Sequence, residues 1–274
     1  MIRLSAFADE ISQDPQEQLD VLESHGIRHI EFRAIHGSNV LDLSDDQHDA
    51  FVALLRSRGF GLSAIGSPIG KIRITEDMDN HLQRFGRALE LARLYDTPRI
   101  RIFSFYIPPG HDPASHRAEV VARMHELTAR AADRGVTLLL ENEKGTYGDT
   151  ANHVQDVLQS VDSPVLACTF DPANYVEVGQ PVDEAWWLLR PRVRHFHVKD
   201  YDPRKRQHVP AGAGDGQIPS LLKDAERAGY EGFAVLEPHL AIADLAHGFS
   251  GPQRFADAAR ALKRILDRDA IAYA

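Results

Sequence analysis

The stretch that decides the fold is G-V-T-L-L-L-E-N-E at residues 135–143. Its apolar part, residues 136–141, is typical of a buried strand, because strands covered on both faces are apolar along their length. Gly135 can adopt the left-handed conformation that ends a preceding helix. The run stops at the carboxylate of Glu141. The stretch therefore predicts a helix end, a buried strand and a polar group at the carboxyl end of that strand.

The same unit, a short apolar run followed by a longer amphipathic segment, recurs from one end of the chain to the other. We predict eight strands, near residues 2–8, 28–33, 60–66, 98–104, 136–141, 164–171, 193–199 and 232–237. We predict eight helices, near residues 15–25, 44–57, 77–95, 113–134, 150–160, 181–190, 217–228 and 252–268. Alternating β and α segments over 274 residues predict an α/β fold, a (β/α)₈ TIM barrel forming a single domain over residues 1–274. An open doubly wound sheet is the alternative.

Local signals agree with this division. Ser44 precedes an acidic first turn, as a helix N-cap does. Gly26, Gly59 and Gly229 stand at predicted helix ends, as Gly135 does. No low-complexity tract or Pro/Ser-rich linker divides the chain, which favours one domain.

Composition limits the classes of function. The hydrophobic content of 43% and charged content of 26% are ordinary for a soluble globular protein. The formal net charge of −9 disfavours nucleic acid as a partner, since such sites need clustered Lys and Arg. The single cysteine, Cys168, cannot form an internal disulfide. With no signal-peptide pattern and no apolar run long enough to span a bilayer, we expect a cytoplasmic protein without a membrane partner.

Four consecutive predicted strands carry a polar residue at or near their carboxyl ends: Glu141, Asp171, His197 and Glu237. In a TIM barrel these ends meet at one rim, the catalytic face. Three carboxylates so close together would repel one another unless a cation lay among them. Carboxylate oxygens with one imidazole suit a divalent ion, and the lack of a thiolate disfavours a structural zinc site.

The motifs around these residues resemble a known family. They are L-L-L-E-N-E at 138–143, F-D-P-A-N at 170–174, H-F-H-V-K-D at 195–200, G-A-G-D-G at 212–216 and L-E-P-H at 236–239. The chain resembles the xylose-isomerase-like TIM barrels, which include ketose 3-epimerases, hydroxypyruvate isomerase, inosose dehydratase and endonuclease IV. The resemblance implies that Glu141, Asp171, His197 and Glu237 hold one divalent metal, Mn²⁺ in the first place, with Mg²⁺, Co²⁺ or Zn²⁺ as alternatives. It also implies that Glu141 and Glu237 act as acid and base.

The expected function is a metal-dependent sugar or sugar-derivative isomerase or epimerase that transfers a proton through an enediolate. The substrate would be a small sugar, polyol or keto-acid, and a homodimer is a base-rate expectation for such barrels. The alternative is a polyol-ketone dehydratase at the same metal, because Asn174 stands where the epimerase branch commonly has His. An endonuclease IV-like phosphodiesterase and a sugar-binding protein without turnover are ranked lower.

Further residues near the predicted rim are assigned by position. We predict six substrate contacts: Glu10, Arg33, Phe105, Asn174, Lys199 and His239. Arg33 suits a bidentate contact with a carboxylate, and Phe105 would supply an apolar wall against a sugar ring. Glu143 and Asp200 are predicted to position the metal ligands from behind.

Overall fold

The structure, a computed structural model, describes residues 1–240 and 250–274. Eight parallel strands form a closed barrel in which each strand pairs with its sequence neighbour and the last pairs with the first. The strands are β1 (Arg3–Ala6), β2 (His29–Phe32), β3 (Gly61–Gly66), β4 (Arg99–Ile102), β5 (Thr137–Glu141), β6 (Leu166–Phe170), β7 (Val193–Val198) and β8 (Phe233–Leu236). The predicted TIM barrel is confirmed, and the open sheet is excluded because β1 and β8 are paired.

Nine α-helices cover the barrel among the described residues. They are α1 (Pro15–Ser24), α2 (Asp45–Arg58), α3 (Asp79–Leu94), α4 (Arg117–Ala132), α5 (Ala151–Val161), α6 (Pro172–Glu177), α7 (Val182–Leu189), α8 (Ile218–Arg227) and α9 (Gly251–Arg268). The short helix α6 was not predicted. It begins directly after β6 because Asp171 caps it and Pro172 occupies its first position. Over residues 1–240 and 250–274, none of the helices has the length and apolar character that crossing a bilayer requires.

The predicted helix signals have their expected geometry. Ser44 and Gln47 form a reciprocal capping box at the start of α2, in which the Ser44 hydroxyl accepts a hydrogen bond from the Gln47 amide. Gly26, Gly59 and Gly135 all have positive φ angles, of 63°, 69° and 65°. A side chain is disfavoured in that conformation, which explains why glycine ends these helices.

Alternation along each strand divides the barrel into two environments. On β7, Phe196 faces outward and packs against Trp186 of α7, with ring centroids 5.4 Å apart. His195 and His197 face the opposite way, into the bore, and their side chains are fully buried. The outer layer is an extensive apolar core of strand and helix residues, whereas the bore holds many of the buried polar groups. The inward positions of the strands therefore supply the candidate site.

Two glycine substitutions test the helix assignment with opposite signs. Gly86 lies inside α3 with open space around it, so Gly86→Ala should stabilise the fold by about 1 kcal/mol through helix propensity. Gly59 also faces open space but has a φ of 69°, so Gly59→Ala should destabilise it by about 1 kcal/mol. The thermal midpoint should rise by about 2 °C for the first and fall by about 2 °C for the second. Equal shifts of one sign would contradict the assignment.

Candidate metal centre

Four side chains converge at the carboxyl end of the barrel. Glu141 is the last residue of β5, Asp171 directly follows β6, His197 lies within β7 and Glu237 directly follows β8. One possible ligand atom from each lies within 4.8 Å of the corresponding atoms of the others. All four residues are buried, with at most 3% of their surface exposed. The strand ends thus bring together the four predicted ligands, in a space that a single ion could occupy.

Two arginines each hold one oxygen of a glutamate in this cluster. Arg101 Nη1 donates a hydrogen bond to Glu141 Oε2 at 2.7 Å, and Arg33 Nη1 donates to Glu237 Oε1 at 2.8 Å. The other oxygens face the centre. Glu141 Oε1 lies 2.9 Å from His197 Nδ1, and Glu237 Oε2 lies 3.5 Å from the same nitrogen. The arginines therefore orient both carboxylates toward a shared point.

Charge explains which of these groups are ionised. Burial opposes ionisation of Glu141, but His197 and Arg101 outweigh it and lower its pKa. Burial also opposes ionisation of Glu237, and its cationic neighbours, Lys199 first, hold its pKa well below the ordinary value. Asp171 behaves differently, because burial raises its pKa to about 6 although Lys199 lies nearby. Glu141 and Glu237 are therefore anionic, whereas burial opposes the charge on Asp171.

Asp171 is fixed from both sides. Its Oδ1 accepts a hydrogen bond from the Asn174 amide at 3.1 Å, which caps α6. The Asn142 side chain bonds both the amide and the carbonyl of Asp171. The second carboxylate oxygen of Asp171, Oδ2, forms an ion pair with Lys199 Nζ at 2.7 Å. This contact does not have the angles of a hydrogen bond. This oxygen is thus held in place while remaining open to another ligand.

The donor set fits a divalent cation. Within residues 1–240 and 250–274, Glu237 Oε2 is buried and has no hydrogen-bond partner. Buried oxygens without partners are rare, because leaving one unpaired costs about 1–3 kcal/mol. Three carboxylates and one imidazole suit Mn²⁺, Mg²⁺, Co²⁺ or Zn²⁺, and a bound ion would satisfy this oxygen and reduce the repulsion.

A cavity of about 370 Å³ opens beside the cluster and is large enough for a small metabolite. Glu237 is one of its lining residues, whereas Glu141 is buried and is not one of them. Its remaining lining is mostly polar and includes the cationic side chains of Arg33, Lys71, Arg101, Lys144 and Lys199, together with His208 and His239. A larger cavity of about 1010 Å³ lies at the opposite end of the barrel, away from the carboxylate cluster. The chemistry therefore points to the smaller cavity.

Four of the six predicted substrate contacts line this cavity: Arg33, Asn174, Lys199 and His239. Asn174 also donates its side-chain amide to the Asn142 carbonyl at 2.7 Å, so part of its hydrogen-bonding capacity is already used. Glu10 lies behind the wall, where it is fully buried and accepts hydrogen bonds from Ser250 and Arg33. Its contact with the substrate would be indirect, through Arg33.

The expectation for Phe105 needs correction. Its side chain is fully buried in the apolar core, beside His81, and Phe103 lines the cavity instead. Phe105 was expected to follow the strand predicted over residues 98–104 with its alternation unchanged. The strand ends at Ile102, and Phe105 has a φ of 68°, so strand alternation no longer sets its direction.

Glu143 and Asp200 also have different surroundings from those expected. Glu143 pairs with Lys71 at 2.9 Å on the cavity wall. Asp200 accepts hydrogen bonds from backbone amides of the glycine-rich segment 212–216 and fixes that loop. A Cβ on Gly214 would lie 2.5 Å from Asp200 Oδ1, which explains one of the glycines. Among the contacts of the described residues, neither carboxylate touches a metal ligand.

Sequence reasoning missed three residues that contact the site: Glu31, Arg101 and His195. Arg101 holds Glu141, and Glu31 Oε2 bridges His195 Nε2 at 2.7 Å and His197 Nε2 at 3.2 Å. The alternation of inward and outward side chains along each strand could have identified them. Each lies at an inward position of its strand, in a stretch where charged or polar residues alternate with apolar ones.

Comparisons with known proteins agree with the fold. The model of a family described as xylose isomerase-like TIM barrel matches residues 19–265. A 3-dehydroshikimate dehydratase of Bacillus anthracis is 23% identical over 203 residues, which cover 71% of this chain and 72% of the relative. A fructoselysine 3-epimerase of Shigella flexneri is 30% identical over 118 residues, which cover 42% of each chain.

Solved structures show the same architecture. A xylose isomerase-like TIM barrel protein of Mycobacterium smegmatis, crystallised in complex with magnesium, superposes with a TM-score of 0.73 and 19% identity. The alignment covers 99% of this chain and 97% of that one. At this identity the likeness establishes the fold alone. Because the family model extends over most of the sequence, the chain belongs to the xylose isomerase-like TIM barrel family.

Proposed function

We propose that this protein is a metal-dependent enzyme that transfers a proton at a carbon next to the carbonyl of a small sugar, polyol or keto-acid. The observation that carries the proposal is the convergence of Glu141, Asp171, His197 and Glu237 within 4.8 Å, beside a cavity of metabolite size. The sugar-epimerase and dehydratase relatives support the same class of chemistry.

A divalent ion held by these four residues would stabilise the negative charge that develops on the substrate oxygens. The protein supplies the proton transfer. Glu237 lines the cavity and is ionised, so it can accept the proton of the carbon atom. Glu141, on the other side of the cluster, would take up a proton from solvent and return it on the opposite face during epimerisation. Lys199 and Arg33 orient the substrate oxygens from the cavity wall.

Dehydration at the same centre is the second candidate, and the position of His239 favours it. His239 Nε2 lies 3.3 Å from Glu237 Oε1, and both residues line the cavity. The carboxylate could remove the proton next to the carbonyl. His239, once it has taken up a proton from solvent, could pass that proton to the departing hydroxyl, which leaves as water. A phosphodiesterase is less well supported, since the four-residue cluster contains one histidine and the formal charge is −9.

Metal content tests the centre directly. After loading with Mn²⁺ and desalting, we expect about one ion per chain in the wild type by elemental mass spectrometry. Glu237→Gln should lose most of it, because a neutral amide replaces an anionic ligand. Glu177→Gln is the matched control, since Glu177 lines the same cavity and pairs with His208 rather than with a ligand. Absence of bound ion in all three proteins, or equal retention, would contradict the proposal.

Isotope exchange tests the reaction class. The Mn²⁺-loaded enzyme, incubated in D₂O with ketoses, inososes and 3-dehydroshikimate, should place deuterium at the carbon next to the carbonyl of one of them. Glu237→Gln should slow this exchange by roughly 10²-fold or more, because it removes the base. Mass spectrometry of recovered substrate and product provides the measurement. Turnover of a sugar without any deuterium uptake would argue against proton transfer.

The two candidate reactions separate in a His239→Asn variant. For a dehydratase, loss of water should slow by roughly 10²-fold, because the leaving hydroxyl has lost its acid, while deuterium exchange continues. For an epimerase, exchange and product formation should change together. Parallel measurement of both rates on the same sample decides between them.

A further inference from the structure

We propose that Glu31 is a positioning residue that fixes His197 for metal binding by holding its Nε2 from the far side of the bore. This inference rests on the proposed metal centre and adds a residue whose side chain does not itself face the substrate cavity. His195 is the third member of the arrangement. Together, Glu31, His195 and His197 are called the bore triad.

The two histidines of the bore triad contact the same carboxylate oxygen of Glu31. Glu31 Oε2 lies 2.7 Å from His195 Nε2 and 3.2 Å from His197 Nε2. All three side chains are fully buried. Glu31 comes from β2 and the histidines from β7, and two barrel strands, β1 and β8, separate them in the sheet. The contact therefore crosses the bore and cannot arise from neighbouring strands.

Hydrogen-bond chemistry then assigns the two nitrogens of His197. A carboxylate can only accept hydrogen bonds, so the Nε2 that faces Glu31 carries the proton. Nδ1 also faces carboxylates, Glu141 Oε1 at 2.9 Å and Glu237 Oε2 at 3.5 Å, so without an ion it carries a proton as well. A cation in the cluster would displace this Nδ1 proton, whereas Glu31 retains the proton on Nε2. Nδ1 is the nitrogen in position to bind the ion, and Glu31 keeps the ring in the tautomer that permits this.

His195 completes the arrangement by orienting Glu31. With its shorter contact, it fixes Oε2 between the two imidazoles. Arg101 Nε lies 3.9 Å from Glu31 Oε1, and the same guanidinium holds Glu141. Arg101 thus contacts both the bore triad and Glu141. A neutral amide at residue 31 has two possible orientations. Its NH₂ group would lie either between the two histidine donors, in place of Oε2, or toward the Arg101 guanidinium, in place of Oε1, so a donor would face a donor in both.

Mn²⁺ titration of the whole protein tests this assignment. Glu31→Gln should weaken Mn²⁺ binding about 10–100-fold, the usual effect of losing a partner behind a histidine ligand. Ser63→Ala is the matched control: it removes a buried hydrogen bond to Ser5 Oγ in the same bore without touching a ligand, and its affinity should match the wild type. Wild-type affinity in Glu31→Gln would overturn the role of Glu31. Failure of the wild type to bind Mn²⁺ would instead overturn the metal centre itself.

A second measurement needs no variant and covers the case in which Glu31→Gln does not fold. Long-range ¹H–¹⁵N spectra of the histidine rings, recorded on wild-type protein loaded with diamagnetic Zn²⁺, report the tautomer of each ring. We expect His197 with its proton on Nε2 and its Nδ1 signal shifted by the metal. A proton on Nδ1, or Nε2 as the metal-bound nitrogen, would overturn the proposal even if Mn²⁺ binds tightly.

Discussion

The structure depends on keeping four carboxylates buried in the bore, near the carboxyl end of the barrel. Glu31, Glu141, Asp171 and Glu237 are each almost completely shielded from water. Taking an unpaired charge out of water costs several kcal/mol, so each carboxylate must meet a cation or share a proton. Arg33, Arg101 and Lys199 reach into the cluster from three different strands or their ends, and His197 faces three of the carboxylates. These cations stabilise the buried charges, although burial still raises the pKa of Asp171 to about 6.

The barrel makes this arrangement possible because strand backbone is rigid and its side chains alternate. The four candidate ligands lie at or near the ends of successive strands, β5 to β8, so their spacing is set by the sheet and not by loops. Loop residues are then free to shape the cavity. Asp200 fixes the glycine-rich segment, and α6 begins at a ligand, so that the Asn174 amide stabilises Asp171. One side chain, Asp171, thus serves both the local helix and the candidate centre.

Much of this could be predicted from the sequence. The alternation of apolar runs and amphipathic segments predicted the barrel. The polar residues at four strand ends singled out Glu141, Asp171, His197 and Glu237 as candidate ligands. Contacts across the bore could not be predicted, because the pairing of Glu31 with His195 depends on barrel closure and not on sequence spacing. Phe105 was misplaced for a related reason: where a strand stops, alternation stops with it, and a positive φ then redirects the chain.

The central claim is that the buried charges form a site for one divalent ion. A crystal structure of the Mn²⁺-loaded protein, with anomalous scattering measured at the manganese edge, tests it most directly. We expect a single anomalous peak about 2.0–2.3 Å from oxygens of Glu141, Asp171 and Glu237 and from Nδ1 of His197. An absent peak at saturating Mn²⁺, or a peak between Glu31 and His195 instead, would contradict it.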